Sequence, residues 1–163
     1  MKSSLGRDMN VYKGFASARD LRIAIVGSCF HEPIADTLVL GAQQAFLDFG
    51  GSQDALTIVR VPGAFEIPCA LKKLLTSGVS YGALVACGVL IKGETTHYEH
   101  IADQVAARIS ELSVEYCLPI TFSIITAPSK ELAWKRAGKN GGTHLGISGM
   151  QTALEMANLF TQI

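Results

Sequence analysis

From Tyr81 to Leu90 the chain reads YGALVACGVL, a run that is apolar almost without interruption and never alternates with polar residues. A strand with no wet side must be covered on both faces, which is the condition of a parallel sheet with helices packed above and below. The run leads into Ile91-Lys92-Gly93-Glu94-Thr95-Thr96-His97, and Ile101, Val105, Ile109 and Leu112 then recur at helical spacing. A buried strand therefore feeds a glycine turn, two hydroxyls and an imidazole at the start of a helix. Thr95 or Thr96 can cap that helix, whose first free amides form a ready anion site.

The rest of the chain repeats this alternation. Residues 1–20 show neither period and read as an arm that frays or docks on a neighbour. Leu21 to Val26 is a first strand ended by Gly27-Ser28. Pro33 then suits the first turn of a helix with Ile34, Leu38, Ala42, Ala45, Phe46 and Phe49 on one face, closed by Gly50-Gly51. Further strands are expected over 55–61, 81–90 and 120–126, and helices over 66–77, 96–115 and 129–137. A last helix follows the glycine-rich loop 138–146. Right-handed crossovers make this one α/β domain over 21–163, a three-layer α/β/α arrangement around a four-stranded parallel sheet. Ligands of such sheets sit beyond the carboxyl ends of the strands, here near residues 28–31, 63–66, 92–97 and after Thr126.

Composition narrows the function. Fourteen Lys and Arg balance fourteen Asp and Glu, so no summed field draws nucleic acid or an anionic membrane, and small-molecule substrates fit better. Only 17% of residues are charged, which suggests that other subunits cover part of the surface. Cys29, Cys69, Cys87 and Cys117 fall in no ligand spacing and fit a reducing compartment. No run approaches the roughly 18 apolar residues of a membrane span, and a cytoplasmic location is expected.

Each candidate residue carries a chemical reading beside an ordinary one. At a helix start, the dipole favours a neutral His97 that can take a proton and return it; the ordinary reading is a capping histidine. His97 with His100 and Glu94 also raises a metal site, although the spacing matches no established ligand motif, and none is expected. Phe30 and Phe65, at strand ends beside polar residues or glycine, suit stacking on a planar ligand or else filling the core. Glu66 can accept from a polyhydroxyl chain or simply favour a helix start. Arg136 can clamp a phosphate held at Thr95 or complement a helix end. Phosphate-loop, dinucleotide and serine-hydrolase motifs are all missing, which weakens those classes.

Together, Val61-Pro62-Gly63-Ala64-Phe65-Glu66-Ile67-Pro68, the run Gly88 to Tyr98, Arg136-Ala137-Gly138 and Ala153-Leu154-Glu155-Met156-Ala157-Asn158-Leu159 resemble the 6,7-dimethyl-8-ribityllumazine synthase family of riboflavin biosynthesis. The resemblance runs from about Leu21 to Leu159. It implies a flavodoxin-like fold and a transferase that needs no cofactor. The implied reaction condenses 5-amino-6-(D-ribitylamino)uracil with 3,4-dihydroxy-2-butanone 4-phosphate, releasing phosphate and water. It further implies that Phe30 stacks on the pyrimidine, Ala64 and Glu66 meet the ribityl chain, and Val89, Leu90 and Ile91 line the pyrimidine site, with Phe65 also among the substrate-binding residues. Gly93, Glu94 and Thr95 with Arg136 would hold the phosphate, and His97 would shuttle protons. Phe122 would reach the site from the neighbouring subunit of a homopentamer, and the arm would add to an adjacent protomer. The loop Lys139 to Gly146 is one residue longer than in shell-forming members, and Ser148 stands where they carry an acid, which favours free pentamers over a shell. The alternative is a non-catalytic flavin- or lumazine-binding or cage protein of the same fold.

Overall fold

The computed structural model describes residues 10–163. Four strands, β1 (Ile23–Ser28), β2 (Leu56–Val61), β3 (Ala83–Ile91) and β4 (Ile120–Ala127), form one sheet in the order β2-β1-β3-β4. All neighbouring pairs are parallel, so every strand ends at the same edge. Five helices flank them: α1 (Glu32–Asp48), α2 (Ile67–Leu75), α3 (His97–Glu115), α4 (Lys130–Arg136) and α5 (Leu145–Phe160). This is the flavodoxin-like three-layer arrangement expected from the sequence.

Side-chain alternation along β3 divides the core. Ala83, Val85, Cys87 and Val89 join the cluster built with α1 and α5, while Leu84, Ala86 and Leu90 join the one built with α2 and α3. The first eight residues of β3 are all buried. Each Val or Leu so covered contributes about 1.5–3 kcal/mol, so the central strand alone strongly favours one layer of helices on each side.

One expectation changes. The first strand does not stop at Val26 but continues through Gly27 and Ser28, which pair with Arg60 and Val61. Gly27 is a packing residue rather than a stop: a Cβ there would stand 2.5 Å from Cγ2 of Val39, so its absence lets α1 lie against the sheet. In the described part of the arm, residues 10–20, Val11, Tyr12 and Phe15 are exposed while part of the backbone is bonded to the chain's own last helix. Asn158 Nδ2 donates to the carbonyls of Phe15 (3.1 Å) and Ser17 (2.8 Å), and Gln162 Nε2 donates to that of Lys13 (3.2 Å), tying this stretch to α5 of the same chain. Residues 1–9 of the expected arm lie outside the described residues.

The loop before α5 is held by His144. Its Nδ1 accepts the Ile147 N–H at 3.3 Å, capping the helix, and the ring occupies space that side chains at Gly41 and Gly138 would fill. Burial lowers the His144 pKa from its ordinary 6.5, against backbone hydrogen bonding, including the Thr37 carbonyl, that raises it. Because the folded value is depressed, the unfolded chain binds this proton more tightly, and stability is lost as pH falls from about 6.5 through the folded value. His144→Asn keeps a capping side chain and removes the titration, so its thermal midpoint should fall less between pH 7 and pH 5 than that of the unaltered protein. Equal acid losses in the two proteins would show that His144 plays no part.

Candidate active site

A cavity of about 520 Å³ opens at the carboxyl edge of the sheet, lined by Phe30 and His31 after β1, Gly63 to Glu66 after β2, Val89 to Ile91 at the end of β3, and His97, Tyr98 and Ile101 on α3. Three of the expected strand ends thus converge. The turn after Thr126 does not contribute.

The floor is dry and the mouth is not. Val89 and Leu90 are buried, whereas Phe30 and Phe65 are 65% and 61% exposed at the rim. Leaving two phenyl rings in water forgoes the free energy of burying them, so the arrangement favours a flat apolar ligand between them. His31 stands edge-on to Phe30, with ring centroids 4.6 Å apart and planes at 62°. It occupies the left-handed region (φ 58°), and its carbonyl accepts the N–H groups of Ile34 and Ala35, which opens α1.

Glu66 is partly committed. Its Oε2 accepts the Gly63 N–H at 2.8 Å, fixing the turn after β2, and Oε1 remains for a ligand hydroxyl. Ala64 is buried beneath this turn.

The turn after β3 is exposed over Lys92 to His97. Its entry is pinned by the Lys92 N–H, which donates to the Ala127 carbonyl at 2.9 Å. Thr96 occupies the cap position without a side-chain bond, while Thr95 Oγ1 accepts the His97 N–H at 3.4 Å; of the two capping candidates, Thr95 makes the contact. Gly93, Glu94 and Thr95 adjoin the cavity in sequence but do not line it, and among the described residues no His, Cys, Asp and Glu cluster is arranged to hold a metal.

Two expected site residues lie elsewhere on this chain. Phe122, near the start of the edge strand β4, pairs with Ala86 and lines a separate groove of about 380 Å³, together with Thr121, Ser148, Gly149 and Thr152. Arg136, at the exposed end of α4, does not line the cavity. Conversely, Tyr98 and Ile101 line it without having been singled out. The helical period starting at His97 carried that signal, since position i+4 shares its face.

With this geometry in view, the comparisons decide the family. The family model described as 6,7-dimethyl-8-ribityllumazine synthase matches residues 20–161. The chain belongs to that family. It is 74% identical to the 6,7-dimethyl-8-ribityllumazine synthase of Chlamydia abortus over 155 residues, covering 95% of this chain and 100% of the relative. The synthase of Chlamydia felis is 72% identical over the same shares. That of Chlamydia trachomatis serovar L2 is 66% identical over 95% of this chain and 98% of the relative. For a member of the lumazine synthase family, a cavity with stacking rings and an imidazole is the part of the surface to test first.

Burial, and secondarily the positive charge of Lys130, lowers the His31 pKa from its ordinary 6.5, which favours an uncharged imidazole beside the Phe30 ring at neutral pH. In a proton NMR titration the His31 C2 signal should move below pH 6.5, and Lys130→Ala should bring its midpoint part of the way back. A midpoint at or above 6.5 in the unaltered protein would contradict both causes.

Proposed function

We propose that this protein condenses 5-amino-6-(D-ribitylamino)uracil with 3,4-dihydroxy-2-butanone 4-phosphate to 6,7-dimethyl-8-ribityllumazine, a step of riboflavin biosynthesis. The observation that carries the reading is the single cavity in which exposed Phe30 and Phe65 face the rim, Glu66 keeps a free carboxylate oxygen, and His97 opens the adjoining helix. A heterocycle with a polyhydroxyl tail matches the first three. The fourth supplies a proton carrier.

In this mechanism the pyrimidine stacks on Phe30 over Val89, Leu90 and Ile91, and its ribityl chain runs past Ala64 and Phe65 to Glu66. The exocyclic amine attacks the ketone and water leaves, forming an imine. Loss of a proton from the neighbouring carbon then expels phosphate and leaves an enol, which becomes a second ketone; the ribityl-bearing nitrogen attacks that carbonyl, and departure of a second water closes the ring. His97 accepts the proton released by the attacking amine and returns it to a leaving oxygen. Gly93, Glu94 and Thr95 receive the phosphate at the start of α3, where free amides and the helix dipole favour an anion. Holding both reactants together supplies several kcal/mol of the barrier, and a positioned base adds about 10²–10⁴ in rate.

Phe122 and Arg136 complete the site from a second copy in this reading, and the assembly is a homopentamer with sites at its interfaces. Three features support this. Neither residue lines the cavity of its own chain. The surface is poor in charge, with 17% charged residues overall. Thr121 Oγ1, in the groove beside Phe122, is buried without a hydrogen-bond partner among the described residues. The protein works in the cytoplasm on this reading; among the described residues, no helix is long and apolar enough to cross a membrane.

His97→Ala should lower turnover by about 10²–10⁴ while leaving the protein folded, measured by the fluorescence of the lumazine product. Arg136→Ala should chiefly raise KM for the phosphate-bearing substrate. Refolding the two variants as a mixture should recover activity, because some interfaces then pair an intact His97 with an intact Arg136. No recovery in demonstrably mixed assemblies would place both groups on one chain, and an unchanged rate for His97→Ala would remove it from the chemistry.

A further inference from the structure

The loop that carries Phe30 is only three residues long, Cys29 to His31, between the end of β1 and the start of α1. Among the described residues, the ring of Phe30 has one aromatic neighbour, His31, which belongs to the same loop. The angle at which Phe30 meets a ligand is therefore set by what holds the backbone of that loop.

That support comes from β2. The Cys29 N–H donates to the Val61 carbonyl at 2.7 Å, and the Phe30 N–H donates to the Pro62 carbonyl at 2.9 Å. The third contact is a side chain. Arg60 Nη2 donates to the carbonyl of Ser28 at 3.0 Å, and Arg60 Nη1 lies 2.6 Å from Oδ1 of Asp36 on α1.

Arg60 is paired in register with Gly27, and a Cβ built on Gly27 would meet its Nε and Cδ at 3.5 and 3.6 Å, so the stem lies across β1 at this residue at ordinary van der Waals distance. Burial opposes the charge of Arg60, but the close carboxylate of Asp36 outweighs it, with the Cys29 sulfur helping, and the guanidinium is held above its ordinary value. One planar cation thus joins the end of β1, β2 and the second turn of α1. A lysine, as a single point charge, cannot serve two acceptors in this fixed fork.

We infer that Arg60, held by Asp36, is a positioning residue for the reaction: by gripping the Ser28 carbonyl it sets the loop that presents Phe30 to the pyrimidine, and so governs ring binding without touching substrate. The inference rests on reading the cavity as the pyrimidine site. Both side chains are about one-third exposed or slightly more, at 33% and 40%, so their attraction as an ion pair is modest and the bond to Ser28 matters more.

The test measures steady-state kinetics and thermal midpoints for Arg60→Met, Asp36→Asn and the reversed pair, Arg60→Asp with Asp36→Arg. Arg60→Met should raise KM for the pyrimidine substrate by about threefold to tenfold, the scale of one net hydrogen bond, with kcat and KM for the phosphate-bearing substrate little changed. Asp36→Asn should move the same constant in the same direction by less. The reversed pair restores the opposite charges but not the donor to Ser28, so it should recover the thermal midpoint and keep the raised KM. Recovery of KM together with the midpoint would overturn the inference, as would an unchanged pyrimidine KM in Arg60→Met, or equal rises for both substrates. Absence of product from the unaltered protein would instead defeat the functional reading. In that event, equilibrium binding of riboflavin, followed by quenching of its fluorescence, tests the same loop: Arg60→Met should weaken it by the same factor, and equal affinity would overturn the inference.

Discussion

Everything at the active edge depends on β3 staying dry on both faces. Its alternate side chains enter two different clusters, so the strand cannot be covered unless α1 and α5 close one side and α2 and α3 the other. Burial of Cys87 in this strand pushes its thiol up to about 12, against a smaller opposing effect of Arg60. A thiolate has no place there. Parallel pairing with β1 and β4 then brings the ends of the strands to one side, and the chain can leave the sheet only into connections that meet around Val89, Leu90 and Ile91.

The same constraint explains why the site is apolar below and polar above. Main-chain groups at the ends of β1 and β3 are satisfied by neighbouring strand ends, as in the Cys29 to Val61 and Lys92 to Ala127 bonds. Groups beyond them have no such partners and must meet water, a cap or a ligand. Glu66 answers this for Gly63, and Thr95 for His97. The turn over Gly93 to Thr95 stays exposed at the start of α3, the setting that the proposed phosphate role requires.

Much of this was legible in the sequence because it follows from periodicity. The unbroken apolar run of β3, the helical spacing after His97 and the glycine and proline breaks locate the elements to within a few residues. Gly27-Ser28 misled because a glycine that admits a packing helix looks the same in sequence as one that ends a strand; only Val39 on α1 distinguishes them. The bonds of the arm to α5 were hidden for a similar reason, since they are carbonyl groups accepting from Asn158 and Gln162, and backbone acceptors leave no side-chain pattern. Arg60 was invisible too: nothing in the run Thr57-Ile58-Val59-Arg60-Val61 tells that its guanidinium turns across Gly27 toward Asp36, 24 positions earlier in the chain.

The separation of Phe122 and Arg136 from the cavity bears on why this fold suits a two-substrate condensation. A small four-stranded sheet offers only a few loops at its carboxyl edge, and here three of them converge on one cavity, which the proposed reading gives to the flat reactant. A second reactant with its own charged group then needs protein surface from somewhere else. β4 is an edge strand, so its outer side and the groove beside Phe122 are not closed by a further strand of the same sheet. On the proposed reading, docking that groove against another copy would cover Phe122, and the cavity of that copy would gain the side it lacks. The free energy of assembly and the completion of the site would then have a common origin, because the apolar area left uncovered in one chain would be the area that shapes the pocket of the next.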